Sequence, residues 1–257
     1  MELIDTHCHL NDSKFSADLQ DTISRAQKSG VCGMVVVGWD VGSSRLAVEL
    51  AEKYEPLYAA VGIHPHDASD ATTEALEAIR KLAEHPKVVA IGETGLDFYR
   101  NLSPPEDQRD AFRRFLDLAA QTGKALIIHS READEEVLPI LQDNRPEGVN
   151  IVRHCFSGDT DIMQAYIDLD CWLGIAGPVT YPNASKLREV VAAAPENRIV
   201  VETDCPWLPP QGHRGKRNEP ALVSHVAERV AKVREITLQA AAEMTTANAR
   251  TLYGIEE

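Results

Sequence analysis

The stretch IDTHCHL, residues 4–10, decides how the rest of the chain is read. It ends a short apolar run with two histidines flanking a cysteine. Side chains along a strand alternate with a period of two, so a strand that continues to His9 points His7 and His9 one way and Cys8 the other. Two neutral imidazoles on one side make half of a metal site. Taken alone, the pair reads more simply as a polar strand end. What stands at the ends of the other strands decides between the two.

Working outward, short β-rich apolar runs alternate with helical patterns along the whole chain. Strands are expected at residues 3–6, 34–37, 57–61, 88–91, 125–128, 150–153, 172–175 and 199–201. Their C-terminal ends are spaced by about 22 to 37 residues, the size of a βα unit. Between them, Leu19, Ile23 and Ala26 lead to Gly30 at helical spacing. Ser103-Pro104-Pro105-Glu106 reads as a capping box with proline at the first helical position. It opens a helix through Phe112, Phe115, Leu116 and Ala119 that Gly123 ends. Leu187, Val190, Val191 and Ala194 repeat the pattern before Pro195, and residues 220–252 read as two helices parted near 234–237. No repeat or linker divides the 257 residues, which are expected to form one domain, 1–257. Eight alternations predict an α/β protein, a closed (β/α)8 TIM barrel. The alternative, an open doubly wound sheet, requires a glycine-rich phosphate loop after the first strand, where Thr6-His7-Cys8-His9-Leu10 stands instead.

Composition narrows the function. No stretch approaches the ~18 consecutive apolar residues of a membrane span, and no basic leader precedes the first strand, so a cytoplasmic location is expected. Cys8, Cys32, Cys155, Cys171 and Cys205 are odd in number, lack Cys-x-x-Cys spacing and read as reduced thiols. The net charge of −14 repels nucleic acid at long range, so an anionic substrate needs a local positive centre.

A barrel draws its catalytic groups from the C-terminal ends of its strands. There the sequence places His7 and His9, then His64 and His66 in VGIHPHD, Glu93 in AIGETGLDF, His129 in LIIHSRE, His154 in VRHCFSG, and Glu202 and Asp204 in VVETDCPWL. Six of the nine histidines thus fall on one face; His85, His213 and His225 do not. Imidazoles and carboxylates converging there unpaired would cost several kcal/mol in desolvation, a cost that divalent cations offset. Nitrogen and oxygen ligands without thiolate suit Zn²⁺, Mn²⁺, Co²⁺ or Mg²⁺. Six ligands exceed what one open tetrahedral ion takes and suit two ions about 3.5–4 Å apart. The expected assignment is His7, His9 and Asp204 on one ion, His129 and His154 on the other, and Glu93 shared.

Together IDTHCHL, GIHPH, GETGLD, HSRE, HCFSG, ETDCPWL, RNEP and the late NARTLYG resemble the TatD family of metal-dependent hydrolases, of the amidohydrolase-like superfamily. The resemblance spans essentially the whole chain. It implies a (β/α)8 barrel, a divalent-metal centre and phosphodiesterase activity on DNA, usually as a deoxyribonuclease. Carried over residue by residue, its metal ligands fall on His7, His9, Glu93, His129, His154 and Asp204, the set already reached from the strand ends.

The expected reaction is hydrolysis of DNA phosphodiesters by a metal-activated water, exonucleolytic and on single strands or ends, with no obligatory protein partner. Asp204 is the candidate proton acceptor and donor. His64, outside the ligand set, is the candidate phosphate contact or proton donor, whereas His66 is expected to be a loop residue beside Pro65. Arg214, Lys216 and Arg217 form the local basic cluster, with Arg214 and Arg217 as substrate contacts. Arg131 faces the pocket or pairs with Glu132 or Glu135, and Glu202 orients a histidine or a water. Cys8, Cys155 and Cys205 read as small buried hydrophobes, since neighbours of a ligand on a strand point away from it. Trp39, Phe98, Tyr99, Phe156, Tyr181 and Trp207 either pack or stack on bases. The same centre would also serve a hydrolase of small esters, lactones or amides, or of aminoacyl-RNA esters. The net charge of −14 and the short basic cluster keep that alternative open, because a nuclease usually shows more positive surface, while a vestigial binding role is disfavoured by the complete ligand set.

Overall fold

A computed structural model describes residues 1–256. Eight strands run β1 Leu3–Cys8, β2 Val31–Val37, β3 Leu57–Val61, β4 Val88–Asp97, β5 Ala125–Arg131, β6 Ile151–Arg153, β7 Cys171–Ile175 and β8 Ile199–Val201. They pair in parallel in sequence order. The helices between them are α1 Leu19–Lys28, α2 Val41–Lys53, α3 Thr73–Ala83, α4 Pro105–Thr122, α5 Asp134–Asn144, α6 Thr160–Asp168 and α7 Ser185–Ala193, followed by α8 Val223–Arg234 and α9 Leu238–Tyr253. The sheet curls until β8 meets β1. The Thr6 hydroxyl donates to Val201 O at 3.0 Å, Asp204 N to His7 O at 2.9 Å and His9 N to Cys205 O at 2.8 Å. The architecture is therefore the (β/α)8 barrel expected from the alternation, and the open-sheet alternative falls.

The strand period of two sorts the apolar side chains into two clusters. Leu3, Met34, Val36, Leu126 and Ile128 pack outward with the helices. Ile4, Val35, Val37, Ile127, Val152 and Val200 form the other cluster, which Leu252, Tyr253 and Ile255 join from the end of α9. Both faces of every strand are thus covered, as a parallel sheet requires.

Two expectations need correction. The strand expected at 88–91 continues to Asp97. Gly92 and Gly95 are what make the extension feasible: at φ 129° and 137°, added Cβ atoms would stand 2.7 Å from Ile127 O and 2.0 Å from His129 O. Glycine here marks close strand approach rather than a loop. Ser103 is also not the cap of α4. The helix begins at Pro105, and Ser103 Oγ instead donates to His66 O at 2.8 Å and receives Ser69 N, tying this loop to the one after β3. Gly123 ends α4 at φ 65°, as expected.

Candidate metal centre

The barrel's C-terminal mouth gathers the side chains that the strand ends announced. Glu93 is at its centre, 3 % exposed. One oxygen, Oε1, lies 2.7 Å from His129 Nδ1 and 2.8 Å from His154 Nε2. The other, Oε2, lies 3.4 Å from His7 Nε2 and 3.9 Å from His9 Nε2. His9 Nε2 is 3.4 Å from Asp204 Oδ1. All six expected ligands are therefore brought together around one carboxylate. His7 and His9 do point the same way, with Nε2 atoms 3.1 Å apart, while the Cys8 thiol turns out to Val35 O.

Local structure holds this arrangement. Asp204 sits at φ 54° and Cys155, next to His154, at φ 45°. Left-handed backbone at non-glycine residues persists where surrounding contacts impose it. Asp204 is fixed by its N–H to His7 O, and Cys155 by a 2.6 Å hydrogen bond from its N–H to Glu202 Oε1. The same Glu202 oxygen lies 3.3 Å from His154 Nδ1. Burial pushes the Cys8 and Cys155 thiols well above their ordinary range, so both stay protonated.

The electrostatics couple the buried carboxylates to the imidazoles around them. Burial opposes ionisation of Glu93, yet His154, His64 and His129 hold its carboxyl well below the usual range. Burial likewise opposes charge on His154, but Glu93 and Glu202 push it up to about 10. His7, stacked on His154 with ring centroids 4.0 Å apart, is lowered by burial and by that neighbour. His7 Nδ1 has no hydrogen-bond partner among the described residues. Imidazole nitrogens facing one another around ionised carboxylates are a donor set for divalent cations. Three trios have donor atoms within 4.8 Å of one another: His7, His9 and Asp204; His7, His154 and Glu202; and His64, Glu93 and His129.

His64 is the one member of these trios whose hydrogen bonding argues against a ligand role. Its Nδ1 accepts the His66 N–H at 3.0 Å, and burial lowers its pKa well below the ordinary value. A neutral ring with Nδ1 as acceptor carries its proton on Nε2. That N–H points into the mouth, 3.5 Å from Glu93 Oε1.

Sequence reasoning missed several residues. Asp97, wholly buried, accepts from His129 Nε2 at 3.1 Å and from His66 Nε2 at 2.9 Å with the same oxygen. His66 is thus part of the mouth rather than a bystander of Pro65. Asp5, buried on β1, accepts from the Thr203 hydroxyl at 2.6 Å and from its N–H at 2.9 Å, pinning the end of β8. Burial raises its pKa to about 8. The GETGLD and IDTH motifs contained both acids, but their roles depend on partners remote in sequence.

The expected substrate contacts are spread around the rim. Arg131 lies over the Tyr99 ring, 3.8 Å from its centroid, and among the described residues it pairs with neither Glu132 nor Glu135. Arg214 lies over Tyr181 at 4.8 Å. Arg217 departs from expectation. Its guanidinium spends both ends on Asp18 at 2.7 Å and covers Phe15, so it clamps the loop after β8 to the start of α1. Asn218 supports that loop by donating to Thr203 O and Trp207 O.

A family model described as TatD related DNase matches residues 4–254. The chain is 44 % identical over 253 residues to the uncharacterized metal-dependent hydrolase YabD of Bacillus subtilis, covering 98 % of this chain and 99 % of that one. It is 38 % identical over 258 residues to the 3′-5′ ssDNA/RNA exonuclease TatD of Salmonella typhimurium, again covering 98 % and 99 %. Its fold matches the crystal structure of YjjV, a TatD homologue from Escherichia coli K12, with a TM-score of 0.94 at 32 % identity over 99 % of this chain and 98 % of that one. Among the described residues, no helix is long and apolar enough to cross a membrane.

Proposed function

Since the chain belongs to the TatD-related DNase family of metal-dependent hydrolases, we propose that it removes nucleotides from the ends of single-stranded DNA by hydrolysing the phosphodiester at a centre of two divalent cations. The observation that carries this reading is the division of Glu93, whose two oxygens face separate histidine pairs. His7, His9 and Asp204 would hold one cation, His129 and His154 the other, and Glu93 both. Bound there, the cations supply a water acidified towards pKa ~7 and neutralise charge on the phosphoryl oxygens.

The chain's own side chains do the rest. Burial opposes the charge on Asp204, but His9 and its neighbours keep the carboxyl ionised. It would accept the proton of the attacking water and return it to the departing oxygen. His64 presents Nε2–H to a non-bridging oxygen or to the leaving group. Glu202 keeps His154 turned towards Glu93. Arg214, with no carboxylate partner among the described residues, and Arg131 offer positive charge on a surface that otherwise repels the substrate.

The test is to incubate metal-loaded protein with single strands labelled at either end, beside a panel of lactones, amides and small esters. Stepwise shortening from one end, lost with chelator and in Glu93→Ala, is the expected result. Turnover of the small esters with intact DNA would replace this reading by the second one that the −14 net charge supports.

A further inference from the structure

Among the described residues, five large hydrophobic side chains are exposed: Met1, Leu46, Tyr99, Leu102 and Trp207. Three of them rim the barrel mouth, in the loops after β4 and β8. Exposed apolar surface gathered at a site rather than scattered marks a contact surface. Two of the three carry a cation on one face. Arg131 lies 3.8 Å from the Tyr99 centroid and Lys14 Nζ lies 5.3 Å from that of Trp207. Tyr99 is still 56 % exposed and Trp207 42 %. Each pair thus leaves aromatic surface open to a further planar group.

Their placement relates them to the two halves of the centre. Arg131 follows His129 by two residues on β5, about 7 Å further along the strand. It pairs in register with Asp97 of β4, two residues before Tyr99. The turn that carries Tyr99 is fixed, because Arg100 N donates to Asp97 Oδ1 and Asn101 Nδ2 to Phe98 O. Trp207 stands on the other side, its ring edge-on to His9 with centroids 5.1 Å apart. One aromatic–cation pair therefore borders the His129 side of Glu93 and the other the His9 side.

We infer that Tyr99 with Arg131 and Trp207 with Lys14 form two nucleobase shelves that receive the bases flanking the scissile phosphodiester. The inference rests on the nuclease reading and adds how the strand is gripped. A base has a π-face whatever its identity, so two shelves hold successive nucleotides without reading sequence. The cation behind each ring holds that ring in place and adds positive charge to the rim. A duplex, whose bases are already stacked, offers nothing to the shelves, so they select unpaired ends.

The experiment is a pair of double-mutant cycles on the metal-loaded enzyme. Tyr99→Ala and Trp207→Ala are each assayed on an intact labelled single strand and on strands with an abasic residue at the last or the next-to-last position. Stacking energies predict about a tenfold rise in KM for each variant on the intact strand. The rise for one variant should vanish when one terminal base is missing, and for the other variant when its neighbour is missing. Tyr99→Phe, which keeps the ring, should behave as wild type. Penalties that persist in full on the abasic strands overturn the shelves while leaving the nuclease reading in place. Failure of the wild-type enzyme to shorten any strand overturns both.

Discussion

Asp97 Oδ2 accepts the Nε2–H of His129 at 3.1 Å, so that Nδ1, 2.7 Å from Glu93 Oε1, is the nitrogen that would meet a cation. This is how a carboxylate fixes the tautomer and direction of an imidazole that is to meet a cation. Because Asp97 is ionised and wholly buried, the relationship does not depend on solvent. Asp97→Asn can present an amide N–H to the same ring nitrogen and so favour the wrong tautomer. Metal affinity should fall by about 10- to 100-fold. Competition with a chromophoric chelator measures it, and unchanged affinity would remove Asp97 from the account.

A second prediction concerns a residue with no side chain. A Cβ on Gly174 of β7 would stand 2.3 Å from Glu202 Oε2. Gly174 is not in the left-handed region, so the cost of Gly174→Ala is one of space rather than backbone strain. The variant must displace the carboxylate that receives Cys155 N and flanks His154. Overpacking of this kind costs about 1–3 kcal/mol. Chemical denaturation should show that loss, and activity should fall more than Gly33→Ala makes it fall, because at Gly33 the nearest atom to a new Cβ is the Ile4 side chain at 3.3 Å.

The frame and the cluster at its mouth were legible in the sequence for one reason: in a barrel, strand ends are simultaneously the apolar-to-polar boundary and the active face. His129 and His154 announce themselves by following Leu126–Ile128 and Ile151–Arg153. What was not legible depends on pairing between distant segments. Gly92 and Gly95 looked like loop residues because their function is to let β4 press against β5. Asp97 therefore fell outside the expected strand. Arg217 looked free because Asp18, its partner, lies in the first βα loop. Arg153 was counted as part of a strand, yet it is a buried cation 1 % exposed, held by Asp134 at 3.2 Å and by the carbonyls of Ser130 and His154.

That last cation yields the third prediction. Arg153 Nε and Tyr166 Oη both donate to Asp134 Oδ1, behind the strands that carry His129 and His154. Burial opposes ionisation of Asp134, but Arg153 holds its pKa below the ordinary 3.8. A carboxylate with a depressed folded-state pKa adds stability that is present above the unfolded value and lost as pH falls through the folded one. Asp134→Asn removes the counter-charge of a buried guanidinium, a change that costs about 3–5 kcal/mol. Urea unfolding of the two proteins should show a constant gap from pH 7 down to about 4. Below that the gap should close, as the wild-type acid protonates too. A gap independent of pH throughout would mean that charge is not what Asp134 contributes.

The fourth prediction is read without any turnover. Four imidazoles and two carboxylates, buried and facing one another, are a liability that bound cations turn into stability, because only the folded chain assembles them. At a free concentration 100 times the dissociation constant, one bound ion stabilises by about 2.7 kcal/mol. For a domain of this size each kcal/mol raises Tm by about 2–4 °C. Loading the chelated protein with Mn²⁺ or Zn²⁺ should therefore raise Tm by roughly 5–10 °C per ion. Glu93→Gln keeps the shape of the side chain but weakens both groups at once, since each depends on one of its oxygens. It should abolish most of the rise. Asp204→Asn touches only the His7 and His9 side and should leave about half of it. Equal losses in the two variants would indicate a single cation, and a Tm indifferent to metal would show that the cluster holds none.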